Sequence, residues 1–193
     1  VEQKRLERQI ARGAYLYSTL EAELDTVASA ATVNLLGSGS IMQQVLEAAD
    51  LLVSLGFRVK IWSVTSYQEL SREARSCERW NRLHPLEEQR ISYLEQLFTE
   101  KDEVLIAVSD YMKALPESIS RWVGPNYTVL GTDGYGLCES RKELREYFEI
   151  DARHITHAAL VGLYRNGSIN KSSLEELLLK IDVDPEKADP AER

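Results

Sequence analysis

The stretch VTSYQELSREARSCERWNRLHP (64–85) brings a thiol, an indole and an imidazole close together in Cys77, Trp80 and His84. A cysteine paired with a histidine can do nucleophilic chemistry, because the imidazole draws the proton from the thiol. Here the two stand seven positions apart, so they share a face only if one helix runs through both, and Pro85 predicts that such a helix stops near His84. No Asn or Asp in an orienting motif completes a triad. The span therefore reads less as a reaction centre than as a polar plug for a neighbouring surface. Arg79, Trp80 and Asn81 support that reading, since Trp and Arg are enriched at the energetic centres of interfaces.

Three further clusters carry chemically able residues. GSGS (Gly37, Ser38, Gly39, Ser40) lies where a predicted strand meets a predicted helix, a place where free backbone N–H groups can hold an anion. It matches neither GxGxxG nor GxxxxGK[ST], and no Lys follows it; a tight turn with Ser40 as N-cap explains it without a ligand. GTDGYG (131–136) follows another strand end. Asp133 can bond loop N–H groups there and Tyr135 can project as an anchor, although turn formation alone accounts for its glycines. His154 and His157 fall three apart on a predicted helix, but no third metal ligand is in view.

The elements that must position these groups follow from periodicity. GAYLYSTLE (13–21) alternates as a half-buried strand does, and TVNLLG, VKIWSV, EVLIAV and YTVLG are short apolar runs suited to strands buried on both faces. Helical spacing appears in IMQQVLEAADLLVSLG, with Gly56 ending it, and again at 91–98 and 110–123. Beyond Gly136 come three more helical stretches, with Asp151 and Ser172 as expected N-caps and Gly167 as an expected C-cap. Strands alternating with helices predict an α/β fold with a mostly parallel sheet. Residues 1–12 read as a lead-in helix or a disordered segment, 13–181 as one domain, and 182–193 as an acidic, poorly ordered tail.

Composition narrows the function classes. The 193 residues carry a net charge of −8, which disfavours nucleic-acid binding. No apolar run approaches the roughly 20 residues of a membrane span, and the charged start lacks the apolar stretch of a signal peptide. Two cysteines, Cys77 and Cys138, without CxxC spacing suit free thiols in a reducing cytoplasm. The first residue is Val rather than Met, which fits a fragment.

Six phrases in order, LLGSGSI, WSVTSYQEL, CERWNRLHP, SDYMKALPESI, VLGTDGYG and EYFEIDARHITHAAL, closely resemble the C-terminal domain of the homodimeric pyruvate dehydrogenase decarboxylating component. The resemblance runs from about residue 13 to the end. It implies a transketolase C-terminal-like α/β fold: about five strands, mostly parallel with one antiparallel edge strand, and helices on both faces. It also implies a structural and dimer-forming role within a larger thiamine-diphosphate and magnesium enzyme. That enzyme decarboxylates pyruvate and acetylates lipoyl groups of dihydrolipoyl acetyltransferase. The cofactor is expected on upstream domains of the same polypeptide, so no catalytic, cofactor or metal residue is expected in this chain. The resemblance makes Cys77, Arg79, Trp80, Asn81, His84, Asp133 and Tyr135 contact candidates toward those domains or the second subunit. Leu137 and Cys138 stand where the family commonly has Arg-Ser. A free-standing regulatory module that binds a small anionic metabolite at GSGS or GTDGYG is the alternative.

Overall fold

The computed structural model describes residues 2–22, 31–134 and 136–192. Its elements are helix α1 (Glu2–Ala11), strands β1 (Ala14–Leu20) and β2 (Thr32–Gly37), helix α2 (Met42–Ser54), strand β3 (Arg58–Val64), helices α3 (Tyr67–Leu83) and α4 (Tyr93–Leu97), and strand β4 (Val104–Val108). Helices α5 (Ala114–Glu117) and α6 (Ser120–Val123), strand β5 (Tyr127–Leu130), and helices α7 (Arg141–Tyr147), α8 (Ala152–Arg165) and α9 (Lys171–Leu178) complete the order. One five-stranded sheet runs β1-β3-β2-β4-β5. β1 pairs antiparallel with β3, and the remaining neighbours are parallel. The expected mixed sheet with one antiparallel edge strand is thus present.

Alternation along the central strands divides the interior in two. Val33, Leu35, Val59, Ile61, Val104 and Ile106 face α2 and α8, while Leu36, Trp62, Leu105 and Ala107 face the side closed by α3, α4 and α6. Successive strand residues point to opposite faces, so short continuous apolar runs are what a sheet covered on both sides requires. Chain connectivity then produces a reversal: from β2 the chain crosses by α2 to β3 on one side, and from β4 it crosses by α5 and α6 to β5 on the other. The carboxyl ends of β2 and β4 lie where the two halves diverge.

Several local expectations change. A helix, α3, does run through Cys77, with Ser66 as N-cap accepting from Glu69 N at 3.1 Å, and it stops at Leu83 with His84 as C-cap, as Pro85 predicts. The helix expected over 110–123 is instead two short turns. Pro116 has no N–H for the carbonyl of Met112 and its ring would clash there, so the first turn starts no earlier than Ala114. Asn170, not Ser172, caps α9, its side chain accepting from Ser173 N at 2.9 Å. Asp151 caps α8 as expected, but the C-cap is Asn166 and Gly167 comes one residue later with φ 81°. Within 182–193, Lys187 donates to the carbonyls of Glu146 and Tyr147.

Among the described residues, one buried hydroxyl lacks a partner. The Tyr67 hydroxyl is enclosed without a hydrogen bond, and burial pushes its ionisation above the ordinary tyrosine value. Tyr67→Phe is expected to stabilise the fold by about 1 kcal/mol, raising the melting temperature by roughly 2–4 °C. Calorimetry showing a lower melting temperature would mean that the hydroxyl is bonded after all.

Candidate functional site

The residues singled out around Cys77 are brought together by α3 and the loop after it, and their bonds are mostly internal. The Cys77 thiol contacts Glu73 Oε1 at 3.6 Å. Burial, then the Glu73 carboxylate, pushes its ionisation up. His84 Nδ1 donates to the Trp80 carbonyl at 2.9 Å, and its ring stacks on the indole at 4.3 Å. The Arg90 guanidinium stands 3.9 Å over the same indole. Asn81 bonds both backbone groups of Arg90, donating to its carbonyl at 2.9 Å and accepting from its N–H at 2.8 Å. No hydrogen bond joins Cys77 to His84 among the described residues. Arg79 is exposed, and Leu83, Leu86 and Ile91 beside it project into solvent, Leu86 at 98% exposure.

A thiol with raised ionisation is a slow nucleophile. Alkylation with iodoacetamide near pH 8 is expected to modify exposed Cys138 at least about tenfold faster than Cys77. Peptide mapping that finds the two equally fast would contradict this account of Cys77.

The second assembly lies at the carboxyl ends of β2, β4 and β5, and the sequence did not single out most of it. The chain enters α2 through a short 3-10 turn, Gly39–Ile41, so the cap position falls on Ser38 and its side chain makes no cap bond. Ser40 is therefore not the N-cap, and its hydroxyl donates to Asp110 Oδ2. Arg145 on α7 is buried at 6% exposure; its Nη2 donates to the Ser40 carbonyl at 3.0 Å and its Nε lies 3.5 Å from Asp110 Oδ1. Asp133 reaches across to the next loop, accepting from Lys113 N at 3.0 Å, and Thr132 Oγ1 donates to the Asp110 carbonyl at 3.0 Å. These bonds stitch the loops after β4 and β5 to each other. Tyr135 lies outside the described residues. A cleft of about 510 Å³ opens over this assembly, lined by Ser40, Asp110, Arg141, Arg145, Leu144 and Phe148 among others.

The two histidines of α8 are also accounted for. His154 Nδ1 donates to Asp151 Oδ1 at 2.6 Å. Burial raises the Asp151 ionisation, but bonds from His154 and Arg153 outweigh it and hold the carboxyl at about 2. Burial, then His154, lowers that of His157. Among the described residues no three His, Cys, Asp or Glu side chains converge as metal ligands. No helix among them is long and apolar enough to cross a membrane.

Comparison with known proteins adds the following. The family model for the transketolase-like C-terminal domain matches residues 13–151. The pyruvate dehydrogenase E1 component of Escherichia coli (strain K12) is 41% identical over 186 residues, covering 95% of this chain and 20% of the relative. That of Pseudomonas aeruginosa is 42% identical over 189 residues, covering 97% of this chain and 21% of the relative. This chain thus spans about a fifth of the length of the curated relatives it matches. A solved transketolase from Leishmania mexicana aligns with a TM-score of 0.49 at 14% identity, covering 96% of this chain and 21% of its own.

Proposed function

Because the chain belongs to the transketolase-like C-terminal domain family, we propose that it is the C-terminal part of a pyruvate dehydrogenase decarboxylating subunit. The observation that carries this is the 41% identity along 95% of the chain to an E1 component. The intact polypeptide would use thiamine diphosphate and magnesium, in the cytoplasm, to decarboxylate pyruvate and acetylate lipoyl groups of dihydrolipoyl acetyltransferase. The cofactor is assigned to other parts of that polypeptide, since this chain corresponds to about a fifth of the E1 relatives. This chain would supply structure and dimer contacts.

Cys77, Arg79, Trp80, Asn81, His84, Asp133 and Tyr135 are proposed as contact positions toward those domains or the second subunit. The exposed Leu83 at the end of α3, with Leu86 and Ile91 on the loop after it, supports this, since exposed apolar groups gathered in one region mark surfaces that other protein covers. The Asn81 clamp on Arg90 holds that loop in place for a contact.

The test is to express the intact polypeptide and the 193-residue chain separately and assay pyruvate decarboxylation with thiamine diphosphate and magnesium. Turnover is expected only from the intact polypeptide. Turnover by the short chain would refute the assigned division of labour, and an intact polypeptide inert toward pyruvate would refute the subunit assignment.

A further inference from the structure

We propose that the cationic row of α1 is a docking face for an acidic segment elsewhere in the same polypeptide, whose carboxylates meet Lys4, Arg8 and Arg12. This rests on the reading of the chain as part of a longer subunit: it matches only 20% of the Escherichia coli relative, so most of such a polypeptide lies outside these residues.

The helix itself needs a partner. Its 10 residues form a marginal helix in water unless one face is packed. Of its described side chains only Gln9 is half-buried, and the apolar pair Leu6 and Ile10 stays 41% and 42% exposed. The contacts that hold α1 gather at its carboxyl end, where Thr65 Oγ1 donates to the Ile10 carbonyl at 2.7 Å and the Arg12 guanidinium stands 3.7 Å over the Tyr93 ring. Packing within this chain therefore does little for the first turns of α1.

Charge decides what the partner is. Lys4, Arg8 and Arg12 recur at every fourth position, and Arg12 N still donates to the Arg8 carbonyl at 3.0 Å, so the three form one row along the helix. Like charges at that spacing repel and weaken an isolated helix. With Arg5, Gln9 and Tyr93 they line a groove of about 480 Å³ whose described lining includes no acidic side chain. Among the described residues Arg12 alone of these cations forms an ion pair, with Glu73 at 3.7 Å. Carboxylates laid along the groove would replace that repulsion with charge-assisted hydrogen bonds, bidentate at each guanidinium. Nucleic acid fits less well, because its unbroken run of phosphates would meet a chain of net charge −8. An anionic membrane meets the same repulsion, and Leu6 and Ile10 give α1 little to insert.

The experiment measures hydrogen exchange on the intact polypeptide. The amides of α1 are expected to exchange at least about tenfold slower than those of an unfolded segment. Arg8→Glu is expected to remove most of that protection, and Arg8→Lys to keep it. The sign is diagnostic, because in an uncovered helix Arg8→Glu would set a carboxylate between Lys4 and Arg12 and slow the exchange. Carbodiimide coupling in a mixture of isotope-labelled and unlabelled protein is expected to join Lys4 to a carboxylate outside these 193 residues, within one molecule. Exchange at the unfolded rate, or protection that is unchanged or raised in Arg8→Glu, would overturn the proposal. So would Lys4 left uncoupled, or coupled only to a second copy or within these residues, and so would protection that needs added RNA or phosphatidylserine vesicles. Pyruvate turnover is not the readout, so failure here is distinguishable from failure of the subunit assignment.

Discussion

Asn34→Ala is expected to destabilise the fold by about 3–4 kcal/mol, lowering the melting temperature by roughly 6–16 °C. Asn34 sits in β2, at the centre of the sheet, at 1% exposure. Its carbonyl oxygen accepts from Trp62 Nε1 at 2.9 Å, and its amide donates to Glu103 Oε2 at 2.8 Å. Glu103 in turn holds Lys60 at 2.8 Å. Truncation leaves the indole N–H without its partner and opens a cavity beside it, whereas Glu103 keeps Lys60 on both oxygens. An unmet buried donor costs more than the net worth of the bond it loses, which is why the effect exceeds that of one hydrogen bond. The double variant with Trp62→Phe provides the decisive measurement. With the donor removed, the Asn34 substitution should cost about 1–2 kcal/mol less, and strictly additive losses would show that the indole bond does not carry the effect.

Gly13→Ala is expected to lose about 3 kcal/mol, against about 1 kcal/mol for Gly167→Ala. Both glycines have positive φ, 105° and 81°, so both substitutions incur backbone strain. They differ in space. A Cβ at Gly13 would stand 2.6 Å from the Ser66 carbonyl oxygen and 2.9 Å from Leu70 Cγ, whereas nothing lies within 4 Å of one at Gly167. The close approach at Gly13 has a cause: its carbonyl accepts from both Thr65 N at 2.9 Å and Ser66 N at 3.1 Å, where β1 begins beside the end of β3. Relief of the clash would require those bonds to lengthen. Urea titrations giving equal losses at the two positions would leave strain alone as the cause and dispose of the packing argument.

The elements legible in the sequence share a property. Each is encoded by neighbours along the chain: the apolar runs of β2, β3 and β4, the helical stripe of α2, the Asp151 cap and Gly167 stop of α8. Elements that were less legible depend on partners or on fine backbone choices. α3 buries Tyr67, Leu70, Ser71 and Ala74, a stripe at helical spacing that is confined to its first half, while its second half buries none. The 110–123 segment carries enough apolar residues for one helix, but Pro116 breaks the bonding at its start. The tail looks disordered by composition, yet Lys187 finds two carbonyls on α7 that no local pattern announces.

The same division separates the two assemblies. Cys77, Trp80, Asn81 and His84 are close in sequence, and a single helix with its following loop sufficed to gather them. Ser40, Asp110 and Arg145 are 70 and 105 positions apart in their bonded pairs, so no motif could join them. By itself the sequence determined the strands, most helices and the family, because burial and capping are written in local residue order. Only the tertiary structure decided that Ser40 turns away from its helix and that Arg145 lies buried over a cleft. Those outcomes arise from strand order and from the reversal between β2 and β4, which are properties of the assembled sheet rather than of any segment.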